Sequence, residues 1–385
     1  MSEWKDTKIG LEATYVNRGV SPKYTENTEL GISVINQKCI RNGRINLSLA
    51  RLHDKSKSAN SEKYLQKGDI LINSTGVGTA GRIAIFDEPI KALVDSHVTI
   101  VRPDKSLIHP EYLFHSLRYR EDEIESYAEG STGQIELGRE KVKDIDITKP
   151  DSLEEQKAIA SVLSSLDDKI DLLHRQNTTL EHMAETLFRQ WFVEEAQEDW
   201  EVGTLKQEFD FTMGQSPSGT SFNEEGIGVP MFQGNADFGF RFPTERVYTT
   251  EPTRFAEPMD TLISVRAPVG AQNMANTKCC IGRGVAAFRY KNNPYFYTYT
   301  YFKLRSLMEE IKQFNDEGTV FGSISKSDFE NLVTSLPNNE YVLKFEAEVK
   351  PVNDKIIKNC EQIKTLEKLR DNLLPKLMSG EVRVL

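Results

Sequence analysis

No stretch of this chain approaches the roughly 18 consecutive apolar residues that a membrane-spanning helix requires, so an integral membrane role through helices is excluded. The opening residues MSEWKDTKIG are too polar for a signal peptide, and the expected location is the cytoplasm. The four cysteines, Cys39, Cys279, Cys280 and Cys360, show no Cys-x-x-Cys spacing, which argues against both a zinc site and a disulfide framework. The six histidines are scattered. His174 and His182 share one helical stretch, His109 and His115 bracket a helix start, and His53 and His97 stand alone. None has metal-ligand or triad spacing, and no carboxylate pair stands out, so the sequence presents no catalytic site. What is abundant is ordinary core material, 38% hydrophobic residues beside 28% charged, and 385 residues suit two or three domains.

The organising stretch is Leu153 to Phe192. Its apolar residues Ile159, Leu163, Leu166, Ile170, Leu173, Leu180, Ala184, Leu187 and Trp191 follow steps of four and three, with Asn177 where an aliphatic residue would continue the series. A matching seam lies 186 residues on, at Phe345, Val349, Val352, Ile356, Ile363, Leu366, Leu373 and Leu377, with Asn359 and Arg370 as polar members. Two such seams in one chain can pair with each other. At ~1.5 Å per residue, a helix of ~40 residues is ~60 Å long, more than one small core needs, and reads as a spacer. If the helices run antiparallel, the seam midpoints face each other and Asn177 opposes Asn359. A buried amide pair costs stability and fixes register, because a slip sets an amide against an aliphatic side chain. Pro351 is expected to kink the second helix near its start, and Pro375 to loosen its last turn.

Between the seams the chain repeats itself. Trp200-Glu-Val-Gly-Thr-Leu205 answers Trp4-Lys-Asp-Thr-Lys-Ile9, and Asp260-Thr-Leu-Ile-Ser264 answers Asp69-Ile-Leu-Ile-Asn73. Leu117-Arg118, Ile124, Tyr127 and Pro150 match Leu304-Arg305, Ile311, Phe314 and Pro337. Short β-like runs (Asp69–Ser74, Arg82–Phe86, Val98–Val101) mix with a helical stretch near Tyr112–Tyr127, which indicates an α+β unit. The expected architecture is therefore two α+β domains, 1–150 and 199–337, separated by two long helices, 151–198 and 338–385. The helices form an intramolecular antiparallel coiled coil and the whole is a pseudo-twofold repeat. The helix entries and helices keep register while the centres of the globular units diverge, as befits one scaffold carrying two recognition surfaces.

A net charge of −10 argues against a nucleic-acid partner until its distribution is counted. Residues 151–200 hold 12 acidic and 4 basic side chains, whereas residues 1–150 are balanced at 22 each. Residues 38–67 carry eight basic side chains against Asp54 and Glu62, a patch able to neutralise phosphates. Arg41, Asn42 and Arg44 lie on a turn there, with Lys55 and Lys57 beyond it. Ser74, Thr75 and Arg82 flank a glycine-rich loop, and Gln134 follows Gly130-Ser-Thr-Gly. In the second unit the corresponding polar turns hold Gln215, Ser216, Gln233, Asn235, Arg241, Arg266, Asn273 and Arg283. Arginine can read guanine, and asparagine or glutamine can read adenine. Ordinary loop polarity explains any one of these residues, and only the set points to DNA.

Two motifs are discounted. Gly76-Val-Gly78-Thr-Ala-Gly81 fits G-x-G-x-x-G but runs into the β-like Arg82–Phe86, where a dinucleotide site needs a helix N-terminus. It is read as a loop that lets backbone approach a partner closely. Asn293-Pro294-Tyr295-Phe296 resembles the Asn-Pro-Pro-Tyr loop of amino-methyltransferases but lacks the second proline, and it reads as a turn opening a helix.

In combination, Leu153-Glu-Glu-Gln156 after Pro150, the run Ala158–Ile170, the tail Leu187-Phe-Arg-Gln-Trp-Phe192 and the doubled pieces Gly68–Ile72 and Asp260–Ser264 resemble the DNA-specificity (S) subunit of type I restriction–modification enzymes. The resemblance spans essentially the whole chain. The second copy departs from it at Asn338-Asn-Glu-Tyr341, where its helix entry is expected to make different contacts. The resemblance implies two target-recognition domains, each binding one half of a split double-stranded DNA sequence. It also implies helices that dock two methyltransferase (M) subunits, restriction (R) subunits joining the complex, and no catalysis by this chain. No cofactor is then expected here, with S-adenosylmethionine, ATP and Mg on the partner subunits. The alternatives are a coiled-coil adaptor without DNA readout, or a remnant of a fused modification enzyme, which would need a cofactor-binding segment that the sequence lacks.

A spacer read from helix length makes a prediction. Four residues inserted between Gln176 and Leu180, and four at the matching place in the second helix, add ~6 Å, about two base pairs. Methylome sequencing should then show a longer unspecified gap with both half-sites unchanged.

Overall fold

The computed structural model describes residues 3–57, 60–129, 135–315 and 322–384. The chain divides into two compact units, Met1–Ile170 with Thr365–Leu385, and Asp171–Lys364. Each unit thus takes part of both long helices into its own core.

In the first unit, strands β1 (Ala13–Arg18), β2 (Ile70–Asn73), β3 (Ile83–Ile85) and β4 (Val98–Pro103) form an antiparallel sheet of order β1-β4-β2-β3. Side chains alternate across a strand, so Ile70 and Ile72 enter one core with Val101, Tyr112 and Leu117. Leu71 enters the other with Ile35, Val98 and Ile100. Both faces are covered, which explains an unbroken apolar run where a half-exposed strand would alternate. Helix α1 (Pro110–Tyr119) covers the first face, together with Ile159 and Leu163 of the long helix α2 (Leu153–Arg189). A second sheet pairs Gly31–Ile35 in parallel with Ala92–Val94 and antiparallel with Arg51–Asp54.

In the second unit, β5 (Phe209–Met213), β6 (Thr261–Ser264), β7 (Gln272–Met274) and β8 (Val285–Tyr290) repeat the order as β5-β8-β6-β7. Ile263 and Phe288 face a core with Tyr299 of α3 (Tyr297–Ser306), while Leu262 and Ala287 face another with Phe232 and Ile281. One ion pair recurs in both units. Arg102 holds Asp69 in two hydrogen bonds of 2.9 and 2.8 Å, and Arg289 holds Asp260 in two of 2.7 Å. The fork matches the carboxylate plane, and the pair ties the start of β2 to β4 and of β6 to β8.

Ser152 opens α2: its hydroxyl accepts the Glu155 amide at 3.3 Å, and a π-helical turn at Gln190–Glu194 closes it. The second long helix, α4 (Asn339–Met378), runs without interruption through Pro351 and Pro375. In the second unit Phe188 of α2 and Trp191 of the turn that closes it lie 5.5 and 6.0 Å from Phe345 of α4, ring centroid to centroid. Asn359 Nδ2 donates to Asn177 Oδ1 at 2.9 Å, and both side chains are buried. Later residues of α2 thus meet earlier residues of α4, an antiparallel pair. In the first unit Arg370, the other polar member of the second seam, meets Asp167 at 3.0 Å, and Leu373 and Leu377 join the core that holds Ile159 and Leu163.

Each long helix also seats the domain helix beside it. Gln156 accepts the His109 amide at 2.8 Å through Oε1 and donates to the Pro150 carbonyl at 2.8 Å through Nε2. In the second unit, where Tyr341 ends the altered entry motif, Glu346 takes over by accepting the first-turn amides of Thr298 (3.3 Å) and Tyr299 (2.7 Å) of α3. A carboxylate at a helix N-terminus is favoured by the exposed amides and the dipole. His115 of α1 is buried, and Ser164 Oγ lies 3.1 Å from its Nε2. Ser164 donates its proton to Glu111 at 3.3 Å, so His115 Nε2–H donates to Ser164. Burial pushes this imidazole down to about 4.

Two outcomes are expected. Asn177→Leu alone strands the Asn359 amide in the seam and costs about 1–3 kcal/mol in urea unfolding. The double change Asn177→Leu/Asn359→Leu should regain most of that loss, and a double-mutant cycle measures the coupling. As pH falls from the ordinary histidine value of 6.5 toward 4, the unfolded chain takes up a proton that folded His115 refuses, so stability declines. The slope from this one group approaches ~1.4 kcal/mol per pH unit. His115→Gln should flatten the stability curve over that window.

Candidate nucleic-acid interface

The turn at 41–44 folds as its sequence dictates. Ile40–Arg41 pairs with Arg44–Ile45, and the connecting Asn42 and Gly43 take φ of 52° and 76°. Asn-Gly is favoured where a tight hairpin needs two left-handed residues. Arg41, Asn42 and Arg44 are all exposed, and Arg44 reaches Asp168 on α2 at 3.3 Å. Lys55 and Lys57 are exposed too, Lys55 donating to the Glu29 carbonyl at 2.8 Å. The basic run is therefore only partly free. Lys63 donates to the Gly19 carbonyl at 2.7 Å, Lys67 pairs with Asp87 at 2.6 Å, and Arg51 stacks on Tyr24.

The glycine loop 76–81 is a run of turns with no helix at its end. The close approach it permits is internal, since a Cβ at Gly81 (φ 85°) would stand 2.8 Å from the Glu125 backbone. Three residues expected to touch DNA have interior work instead. Ser74 is buried and shares a hydrogen bond with Thr99 at 2.5 Å. Asn273 is buried and donates to the Gly239 carbonyl at 2.8 Å. Arg241 is buried, paired with Glu181 of α2 and stacked on Tyr301 at 3.9 Å. A charge so enclosed needs its partner and cannot also face a base. Arg82 is half-buried and donates to the Gly78 carbonyl at 2.7 Å, so it braces the glycine loop. Gln134 lies outside the described residues.

The remaining candidates gather where strands end. In the second unit the Gln215 amide donates to the Ile281 carbonyl at 3.0 Å. Ser216 Oγ accepts the Arg283 amide at 3.2 Å, and the Gly282 amide donates to the Phe232 carbonyl at 2.9 Å. Three loops thus converge at one sheet end, with the side chains of Gln215, Gln233 and Arg283 exposed and Asn235 half-buried beside them. Arg266, exposed, leaves the end of β6, and the Val265 amide donates to the Gly284 carbonyl at 2.9 Å.

The first unit repeats this framework. The Val20 amide donates to Val94 at 2.9 Å, Asp95 to Ile35 at 3.1 Å, and Ser74 to His97 at 2.8 Å. Thr75 thereby stands where Arg266 does, and Ser96-His97 where Arg283-Gly284 do. Sequence reasoning missed two members of this cluster. The Thr75 hydroxyl lies 2.8 Å from His97 Nδ1 and 3.2 Å from Gln37 Oε1. Gln37 and His97 carry no local signal, being brought together only by pairing of the strands that precede and follow them.

A family model, the type I restriction modification DNA specificity domain, matches residues 1–182. The MjaX type I restriction enzyme specificity subunit of Methanocaldococcus jannaschii is 30% identical, over 99% of this chain and 94% of that relative. The HindI specificity subunit of Haemophilus influenzae is 20% identical, over 99% of this chain and all of that protein. The S subunit of a type I restriction–modification system from M. genitalium has the same fold at a TM-score of 0.64, with 18% identity and coverage of 98% and 96%. With an expected repeat, a doubled sheet framework and a full-length relative at this identity, the chain belongs to the type I restriction enzyme specificity subunits.

Proposed function

We propose that this chain selects the DNA sequence on which a type I restriction–modification complex acts. Each α+β unit reads one half of a bipartite double-stranded target. The long helices dock two methyltransferase subunits, and restriction subunits complete the assembly. The chain itself catalyses nothing, and S-adenosylmethionine, ATP and Mg belong to those partners. The observation that carries this reading is the duplicated sheet end. The same backbone hydrogen bonds and the same Asp–Arg pair recur in both units, while the side chains they present differ. A scaffold kept constant beneath varied polar residues is what two different base sequences require, since phosphate contacts position a protein and base-edge contacts specify.

The experiment is to purify the chain with its methyltransferase partner and sequence the methylation pattern. A bipartite motif supports the reading, and assembly without any sequence preference would favour a protein adaptor. Within that assay, Arg266→Ala should relax one half-site only, at ~1–3 kcal/mol of discrimination. Equal weakening on every sequence would make Arg266 a phosphate contact. Arg241→Ala should instead leave Glu181 buried without its cation and lower the unfolding midpoint.

A further inference from the structure

Gln37, Thr75 and His97 come from three segments of the first unit and form a hydrogen-bonded chain centred on Thr75, whose protons can be assigned. Gln37 Oε1 has no hydrogen, so at 3.2 Å it must accept the Thr75 hydroxyl proton. The 2.8 Å contact between Thr75 Oγ1 and His97 Nδ1 then takes its hydrogen from Nδ1. A neutral imidazole protonated at Nδ1 carries a lone pair at Nε2. The loops are fixed from behind, since Asn73 Nδ2 donates to the Gln37 carbonyl at 3.0 Å and Asp95 Oδ1 accepts the His97 amide at 2.9 Å. Two groups stay unspent among the described residues: the Gln37 Nε2 amide, a donor, and His97 Nε2, an acceptor. His97 is exposed and Gln37 half-buried, on the framework that in the second unit presents Gln233 and Arg283.

We propose that Gln37 and His97, held by Thr75, read an adenine in the major groove of the first half-site, Gln37 Nε2 donating to N7 and His97 Nε2 accepting from N6. This inference rests on the half-site function proposed above and adds the base and its readers. A donor beside an acceptor matches adenine, which shows an acceptor at N7 and a donor at N6. Guanine shows acceptors at both places, so its O6 would face the His97 lone pair. At the equivalent strand ends the second unit carries Arg266 and Arg283, cations with donors only. The two units therefore demand different bases from one scaffold.

The test uses the complete methyltransferase complex on DNA with randomised half-sites, read by methylation sequencing. Gln37→Ala and His97→Ala should each reduce the preference for adenine over guanine by ~10-fold or more at the same single position. The other half-site should stay as in the wild type, which also reports that the variants fold and assemble. Gln37→Glu replaces the donor by an acceptor and should move that position toward cytosine, whose N4 donates. His97→Gln, which can return an acceptor, should recover part of the adenine preference. An unchanged first half-site, a change in both half-sites, or equal loss on all sequences overturns the assignment. A wild-type complex that methylates no bipartite motif overturns the half-site function itself, before any variant is compared.

Discussion

Two carboxamides buried between leucine-rich seams set the register in which the long helices of this chain pair. The Asn177–Asn359 hydrogen bond has no solvent to replace it, and one turn of slip would set Asn177 against Ile356 or Ile363. An aliphatic seam alone tolerates such slips, because leucine meets leucine again after each heptad. The next turn of α2 strengthens the constraint: Glu181 holds Arg241, so a loop of the second unit is keyed to the same stretch of helix. Burial pushes the Glu181 carboxyl upward, against the opposing pull of Arg241, which is the signature of an acid far from water. Polar groups placed so deep are poor stabilisers and good locators.

Above that register the two units divide their side chains into a fixed and a variable set. Asp69–Arg102 and Asp260–Arg289 brace the same corner of each sheet, with short bidentate bonds and little exposure of the acids. Helix seating is preserved with its chemistry changed, an amide at Gln156 and a carboxylate at Glu346. The strand ends vary freely because no core depends on them. Exchanging Thr75 for arginine, or His97 for glycine, alters what the surface offers and leaves the sheet beneath untouched.

The seams, the repeat and the strands at 70–73, 83–85 and 98–103 were legible because periodicity is a local property of sequence. The Asn pair was legible for a related reason, as a single polar fault in each of two matched series. Side-chain roles in loops were not. Ser74 and Thr75 are neighbours of similar chemistry, yet one is buried against Thr99 and the other stands at the sheet end. Alternation decides between them, and its phase at a strand end is set by the partner strand. Arg241 looked like any loop arginine, since the acid that encloses it lies 60 residues away on α2. His97 looked solitary because its side-chain partner Thr75 is 22 residues distant in sequence, and Gln37, which Thr75 also holds, is 60.

The charge distribution follows from what such a protein must avoid. Phosphate contacts add affinity for every sequence alike, and an excess of them would hold a specificity subunit on the wrong DNA. Of the basic run at 38–67, Lys63 donates to a backbone carbonyl, Lys67 and Arg44 make surface ion pairs with Asp87 and Asp168, and Arg51 lies on the Tyr24 ring. A few cations, Lys38, Arg41 and Lys57 among them, are exposed on a chain whose net charge is −10. Few free cations mean weak attraction to phosphate, whereas each good bidentate base-edge contact supplies ~1–3 kcal/mol of discrimination. The acidic residues of α2 act in the same direction: residues 151–200, which contain it, hold 12 acids against 4 basic side chains and repel a phosphate backbone.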